Sequence, residues 1–375
     1  MTRNSLSICS LAITAFLSAC GGGGGGGGGG GTATIDTPVS ITGANFARVA
    51  SLAVRSNLIV ADSPNFNEGY PAAVVASAPL PSVNVMNLSR MQLVEINKVK
   101  PSEMISAEAP ISAEAPIGAA PVGGPTACGA VGDGTKTKTF IDADNDLTTR
   151  NVGDKLTIVY TGCKLVLQQE AKNCVLISAP DKIVTLNGTI ETEITEVTSP
   201  AVFKSQLTYT NLNVTTTRGA TIINGKLLIA LAAGSPAQIT LTSVTGNPFT
   251  QVGGGVTERL RNATIRYDDN QQGCDPNLVN NNNYTIFDST TGEVASSDLG
   301  FVTVSVTSNL GGDSDSPGGG FPETGSIRIA SDNGSNMTIT AAGSSKANVV
   351  VNGTPILCAP TWLQIFDGNL PSACQ

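Results

Sequence analysis

From Cys128 to the C-terminus, apolar and polar residues alternate with a period of two. In "KIVTLNGTIETEITEV" the residues Leu186, Ile190 and Ile194 lie on one face, while threonines and glutamates lie on the other. Segments such as "NGKLLIALAA", "QITLTSVT", "GFVTVSVTS" and "ANVVVNG" repeat this pattern between Gly, Asn and Asp turns. Such alternation is typical of half-buried antiparallel strands. It predicts a mainly β fold with one large antiparallel sheet, as a curved open sheet, an incomplete barrel or a sandwich.

One segment breaks the alternation in an informative way. In "SQLTYTNLNVT" the apolar residues move from odd positions, Leu207 and Tyr209, to even positions, Leu212 and Val214. A strand keeps one face buried across such a shift only if it contains an extra residue. We therefore predict a β-bulge near Asn211.

The region before the strands, residues 32–104, predicts a loosely structured part with two short helices. The first helix runs from about Asn45 to Arg55, and its apolar face consists of Phe46, Val49, Leu52 and Ala53. The second runs from Leu88 to Lys100 and ends at a proline. A Pro/Ala-rich linker over 105–125 contains the hexamer "ISAEAP" twice and predicts an extended connection. The antiparallel β-domain then covers 126–375.

The first nineteen residues have the pattern of an export signal: one positive charge, then an apolar run from Leu6 to Ala19. That run is shorter than the roughly 20 residues that a membrane-spanning helix needs. The segment "LSAC", Leu17 to Cys20, resembles the lipobox of bacterial lipoproteins. The resemblance implies cleavage before Cys20 and acylation of that cysteine, for example by palmitate. The alternative is an ordinary secretory signal that leaves Cys20 as a plain thiol.

Eleven consecutive glycines, Gly21 to Gly31, follow this cysteine. Glycine has no side chain to bury and loses the most backbone entropy on folding, so the tract (20–31 with the cysteine) predicts a tether. Its coil dimension is about 18 Å. A phosphate-binding glycine loop would require a preceding strand and a following helix, which the sequence does not offer. Since Gly21 rather than Asp follows Cys20, the lipoprotein resemblance implies the bacterial outer membrane, on its periplasmic or its surface side.

The composition excludes several functional classes. The chain has 21 Lys+Arg, 29 Asp+Glu and no histidine. A Ser-His-Asp triad, a Cys-His pair and imidazole metal ligands are therefore impossible. An acidic chain without a basic stripe also argues against a nucleic-acid partner. We expect no enzymatic activity and no cofactor.

The cysteines after Cys20 are even in number, as expected for disulfides in an exported chain. Pairing "TKTKTFIDA" with "DKLTIVYTGC" around a turn near Leu147 places Cys128 beside Cys163 at the open end of a hairpin. A bond between Cys358 and Cys374 would close a short loop around Trp362. These assignments leave Cys174 to pair with Cys274. The alternative for each cysteine is a buried free thiol.

The cluster in "DADNDLTTRNVGD" is the best candidate for a ligand site. Alternating carboxylates on a tight loop can bind Ca²⁺, and the candidate ligands are Asp142, Asp144, Asp146 and Asp154. The loop differs from an EF-hand, since Leu147 stands where glycine is required. The alternative is a solvated turn in which Asp and Asn bond their own backbone. We expect a fold that does not depend on calcium.

Two further acidic groups are weaker candidates. "YDDNQQGCD" contains Asp268, Asp269 and Asp275, a second possible calcium loop. Glu191 and Glu193 lie two residues apart on one strand face, a spacing that suits general acid–base catalysis by a carboxylate pair. Polar sheet faces produce such pairs by chance, so the structural interpretation is favoured.

Two long segments carry a second resemblance. "FIDADNDLTTRNVGDKLTIVYTGC" and "FPETGSIRIASDNGSNMTITAAGSSKANVVVNG", followed by Trp362, resemble uncharacterised exported lipoproteins of proteobacteria. This resemblance implies no activity. The sequence thus predicts a non-enzymatic, outer-membrane-anchored lipoprotein with a structural, adhesive or binding role, held by its lipid and with an envelope protein or lipid as its partner. The alternatives are a carrier with an apolar cavity for a lipid or lipoprotein, and a carboxylate-dependent hydrolase.

Overall fold

The computed structural model of the chain describes part of its length. The described residues are 35–58, 92, 96, 119–121, 124–128, 132–144, 151–166, 170–172, 175–177, 183–199, 202–216, 219–232, 237–269, 283–290, 292–313, 322–343, 345–371 and 374. The predicted signal, Cys20 and the glycine tract lie outside them, as do most of the second helix and most of the linker.

Twenty strands make up most of the described chain. They are β1 (Ala119–Pro121), β2 (Thr126–Ala127), β3 (Thr135–Ile141), β4 (Lys155–Val166), β5 (Glu170–Lys172), β6 (Val175–Ile177), β7 (Ile183–Ser199), β8 (Val202–Thr216), β9 (Gly219–Ala232), β10 (Ala237–Ser243), β11 (Phe249–Gly253), β12 (Val256–Arg261), β13 (Thr264–Asp269), β14 (Asn283–Thr290), β15 (Gly292–Ser296), β16 (Gly300–Asp313), β17 (Thr324–Ala330), β18 (Asn336–Ala341), β19 (Ala347–Val351) and β20 (Thr354–Pro355). Eighteen of them form one sheet, and β5 and β6 form a separate hairpin.

The large sheet is an antiparallel meander. Strands β3, β4, β7, β8 and β9 pair in succession. Strand β9 then pairs with both β10 and β11, which lie end to end and share one strand position in the sheet. Strands β12 and β13 share the next position in the same way, and β14 and β15 share the position after that. Strand β16 pairs with both β14 and β15, and strands β16 to β20 then pair in succession. Among the described strands no ladder joins β3 to β19, so the sheet is open and the predicted mainly β fold is confirmed.

One face of this sheet, the core face, carries a single hydrophobic core. The apolar residues identified by alternation, including Leu186, Ile190 and Ile194, are all buried there. Helix α1 (Phe46–Leu58) and helix α2 (Trp362–Asp367) supply the remaining apolar surface and pack against each other. Of the described helices, none has the length and apolar character to span a membrane.

The predicted N-terminal helix is confirmed as α1, which extends three residues beyond the predicted end. All four residues of its predicted apolar face are buried, and Ala50 and Val54 are buried as well. Helix α1 contacts β15 and β16 as well as α2, so it belongs to the same core as the sheet. Of the predicted second helix, the structure describes only Gln92 and Ile96, which are helical and buried. The described piece of the predicted linker, β1, pairs with β3.

Helix α2 is absent from the sequence prediction. Its first turn has a capping box, in which the Thr361 side chain accepts from Gln364 N–H and the Gln364 side chain accepts from Thr361 N–H. Gly368, with φ +67°, ends the helix in the left-handed conformation. The sequence "TWLQIFDG" contains both signals. The helix is only six residues long, so its apolar periodicity is too short to recognise.

A line of bulges and interruptions, here called the kink line, crosses the sheet from β4 to β16. The predicted bulge at Asn211 is part of it: this residue has φ +46°, and the register of β8 shifts between Tyr209 and Leu212. The line consists of Gly162, Gly188, Asn211, Gly225, residues 244–248, Asn262, Gly292 and residues 307–309. It divides long strands into halves that keep their apolar residues on the core face.

Glycine is required where a neighbouring bulge brings a carbonyl group over the strand. A Cβ on Gly188 would lie 2.4 Å from the carbonyl oxygen of Asn211, and one on Gly225 would lie 2.1 Å from that of Pro248. Both glycines also have positive φ, +122° and +105°. Each follows an asparagine, yet these Asn-Gly pairs lie within strands rather than in hairpin turns.

Two of the three predicted disulfides lie within the described residues, and both are confirmed. The Cα atoms of Cys128 and Cys163 are 5.5 Å apart, and those of Cys358 and Cys374 are 4.9 Å apart. The predicted register was slightly wrong, because β3 pairs Ile141 with Lys155 and is therefore centred at residue 148. Cys128 reaches the hairpin end by a different route, since β2 returns along the other edge of β3. The cysteines Cys174 and Cys274 lie outside the described residues.

We expect Gly188→Ala to destabilise the protein more than Gly246→Ala. Gly246 also has positive φ, +78°, but a Cβ added there would meet no atom within 4 Å apart from its chain neighbours. The control should cost about 1–2 kcal/mol for its conformation, and Gly188→Ala about 1–3 kcal/mol more for the overlap with Asn211. Urea unfolding of both variants measures the difference; equal costs would contradict the role of the kink line.

Candidate functional site

The predicted calcium ligands lie in the connection between β3 and β4, where they bond the backbone of their own loop. The carboxylate of Asp154 is fully buried and accepts the N–H groups of Ala143, at 3.0 Å, and Asn151, at 2.8 Å. Asp142 is also buried, and its Oδ1 accepts Asp144 N–H at 3.3 Å. The side chain of Asn151 donates to Asp144. The backbone bonds are those of the alternative prediction, but that prediction placed the aspartates in solvent, whereas Asp142 and Asp154 are buried.

Burial is the main cause of the pKa shift of Asp154 in this loop. Removal from water raises the pKa of Asp154, and the two N–H donors oppose that shift only in part. Asp142 and Asp144 add to the increase through their negative charges. Within the described part of the chain, no three His, Cys, Asp or Glu side chains are grouped as metal ligands. Asp146 lies outside it.

The predicted carboxylate pair on β7 faces a lysine. Lys155 of β4 lies directly opposite Glu193 of β7. Its Nζ is 3.2 Å from Oε2 of Glu193 and 3.6 Å from Oε1 of Glu191. The hydrogen bond to Glu193, together with both negative charges, raises the pKa of Lys155. The pair therefore forms a half-exposed ion-pair cluster on the outer face, the face of the sheet opposite the core.

The second acidic segment falls at the end of β13. Asp268 and Asp269 pair through their backbones with Gln238 and Ala237 of β10. Asp275 lies outside the described residues.

Sequence reasoning missed a buried polar cluster beneath α1. Gln251, Glu258 and Ser296 are direct cross-strand neighbours on β11, β12 and β15, and all three are buried on the core face. We call these three residues the polar row. Arg55 of α1 reaches Glu258, with Nη2 2.5 Å from Oε1, although 203 residues separate them. No sequence signal links residues so far apart.

The cluster continues toward the end of the sheet through Asp298. Ser296 donates to one carboxylate oxygen of Asp298, and Arg48 donates to the other. Helix α1 is thus attached to the sheet by two ion pairs, one buried and one exposed. Burial raises the pKa of Glu258, Asp298 adds to the increase, and Arg55 opposes it. Among the described atoms, Gln251 Oε1 and Arg55 Nε have no hydrogen-bond partner.

The charged groups of this cluster bond one another and so attach α1 to the sheet. The Glu258 carboxylate is paired with Arg55 and covered by α1, and Asp298 is held by Ser296 and Arg48. Comparison with known proteins finds no matching family model, no matching curated protein and no matching solved structure. Any functional conclusion therefore rests on the sequence pattern and the geometry.

We expect that removing either Arg55 or Glu258 alone will destabilise the folded protein, because its partner is left unpaired. Arg55→Met leaves a buried carboxylate, and Glu258→Leu leaves a buried guanidinium; each should cost about 3–5 kcal/mol. The double variant leaves neither charge unpaired and should cost less than either single change. A double-mutant cycle by urea unfolding measures this, and additive costs would contradict it.

The pH dependence of Glu258→Gln provides a control for this cycle. Because the pKa of Glu258 is raised in the folded protein, the folded state binds its proton more tightly than the unfolded state. Stability from this group is then full below its unfolded pKa and is lost as the pH rises through the folded pKa. The stability of the wild type relative to Glu258→Gln should fall as the pH rises above about 4.5.

We expect Asp154→Ala to destabilise the protein equally in millimolar Ca²⁺ and in chelator. The substitution leaves two backbone N–H groups without their acceptor, which should cost about 1–3 kcal/mol. Asp144→Ala, at an exposed position, is the matched control with a smaller effect. Thermal melting measures both variants. A loss of stability confined to the Ca²⁺ samples would restore the metal-site prediction.

Proposed function

We propose that this chain is a lipid-anchored protein of the bacterial outer membrane with a structural, adhesive or binding role, and that it is not an enzyme. Lipidation at Cys20 is supported by the lipobox-like segment "LSAC" and by the glycine tract that follows it. The observation that carries the non-enzymatic role is that the acidic side chains are engaged in contacts within the fold. Asp142 and Asp154 accept backbone N–H groups, and Asp144 accepts the side-chain amide of Asn151. Glu191 and Glu193 face Lys155.

The outer face of the sheet supports a binding role. Threonines occupy neighbouring positions on four adjacent strands, directly opposite one another or separated by one residue: Thr135, Thr137, Thr139, Thr157, Thr161, Thr189, Thr208 and Thr210. We call this set the threonine surface. The ion pairs of Lys155 offset one of the two negative charges of the glutamates beside it. Such a surface favours hydrogen bonding with a polar partner over attraction by net charge, and the acidic composition disfavours nucleic acid.

The carrier alternative receives less support. A carrier needs an apolar cavity between the sheet and its cover, but α1 fills its part of the core face with Val49, Leu52 and Val54. These side chains belong to the same hydrophobic cluster as the strands beneath them. Mass spectrometry of protein purified from native envelopes tests this ranking: a lipid that co-purifies in stoichiometric amount would favour the carrier.

The anchor is tested by Cys20→Ser. We expect this variant to remain unprocessed or to become soluble, because the cysteine thiol accepts the lipid. Membrane fractionation and the intact mass of the mature protein measure the outcome. A Cys20→Ser protein that still partitions into membranes with a mature N-terminus would contradict the proposal, whereas Cys9→Ser, within the signal, is a matched control that should be lipidated normally.

A further inference from the structure

The segment just before α1 is fixed to one end of the sheet. We call residues 35–41 the strap. Thr37 O accepts Phe301 N–H and Val39 N–H donates to Phe301 O, both at 2.9 Å, so the strap runs parallel to the start of β16. It occupies the position next to Phe301 that β17 does not reach, since the last β17 pair joins Ala330 to Thr303.

Further contacts hold both ends of the strap. At its start, Arg259 Nη1 lies 2.8 Å from Asp36 Oδ1, and Nη2 donates to Ile35 O at 3.3 Å. Farther along, Ile41 N–H donates to Ser335 Oγ at 2.8 Å, and Asn352 Nδ2 donates to Ile41 O at 3.0 Å. The chain is therefore fixed to the sheet from Ile35, its first described residue, onward.

The meander defines two opposite ends of the sheet. The strap lies at the end that carries the turns 254–255, 297–299, 331–335 and 352–353, here called the strap end. The opposite end, here called the far end, carries the β3–β4 connection with its aspartates and the β18–β19 connection at 342–346. Strands alternate in direction, so this division follows from the pairing alone.

The reach of the predicted tether is short compared with the sheet. From Cys20 to Ile35 there are 15 residues, and a glycine-rich coil of that length has a root-mean-square dimension of about 21 Å. Strand β7 has 17 residues, which corresponds to about 56 Å at the usual rise per residue. At that average dimension, a lipid at Cys20 would lie nearer to the strap end than to the far end.

We propose that the strap orients the protein on the membrane, with the strap end nearer to the lipid and the far end, where Asp142 and Asp154 lie, farther from it. This inference rests on the proposed lipidation of Cys20. It also gives Arg259 a role as the clamp at which the tether enters the fold.

Energy transfer from tryptophan to a dansyl-labelled lipid tests this orientation. The chain has one tryptophan, the buried Trp362, which supplies a constant background. We would add a second at Asp332, in an exposed turn of the strap end, or at Ala143 or Ala342, both exposed at the far end. The lipidated variants are reconstituted in phosphatidylethanolamine–phosphatidylglycerol vesicles, and the Cys20→Ser versions are added to the same vesicles.

In lipidated protein we expect the Asp332→Trp residue to be quenched at least twofold more than those of Ala143→Trp and Ala342→Trp. Two far-end variants are included so that a folding defect in one leaves the comparison intact. Equal quenching at both ends, stronger quenching at the far end, or none at either end of vesicle-bound protein would overturn the orientation. Quenching of the Cys20→Ser versions to the same extent would instead overturn the lipid anchor.

Discussion

The close approach of a carbonyl oxygen to a glycine is the constraint on which the sheet depends. The bulge in β8 brings the carbonyl group of Asn211 over Gly188, and the interruption between β10 and β11 brings that of Pro248 over Gly225. Strands of 12 to 17 residues would otherwise accumulate twist and lose their common core face. The kink line lets each long strand bury both of its halves against one core, which α1 and α2 then cover.

The sequence is sufficient for features that depend on local pattern. Alternation identifies the strands, the change of phase at Leu212 identifies the bulge, and helical periodicity identifies α1. Local pattern fails where one signal has two meanings. Asn352-Gly353 forms a hairpin turn between β19 and β20, whereas Asn187-Gly188 and Asn224-Gly225 lie inside strands. The difference depends on the carbonyl of a neighbouring strand, which the sequence does not display.

The candidate site shows the same division between local and distant information. The hairpin aspartates were recognised because they are adjacent, and their role as backbone acceptors follows from the known preference of Asp for turns. The polar row was missed because Gln251, Glu258 and Ser296 become neighbours only through the meander. Its charge partner, Arg55, comes from a helix that composition assigns to a loosely built region. The ion pair of Arg55 and Glu258 attaches α1 to the sheet.

The docking of α1 has a consequence for the order in which the protein folds. Most strand pairs among the described residues join neighbours along the chain, so many hairpins can form soon after their second strand is synthesised. Helix α1 is different, since Arg48 pairs with Asp298, 250 residues away. It precedes the strands in the chain and must wait until β15 and β16 have been synthesised. During that interval its apolar face is uncovered, and chaperones would find a persistent target there.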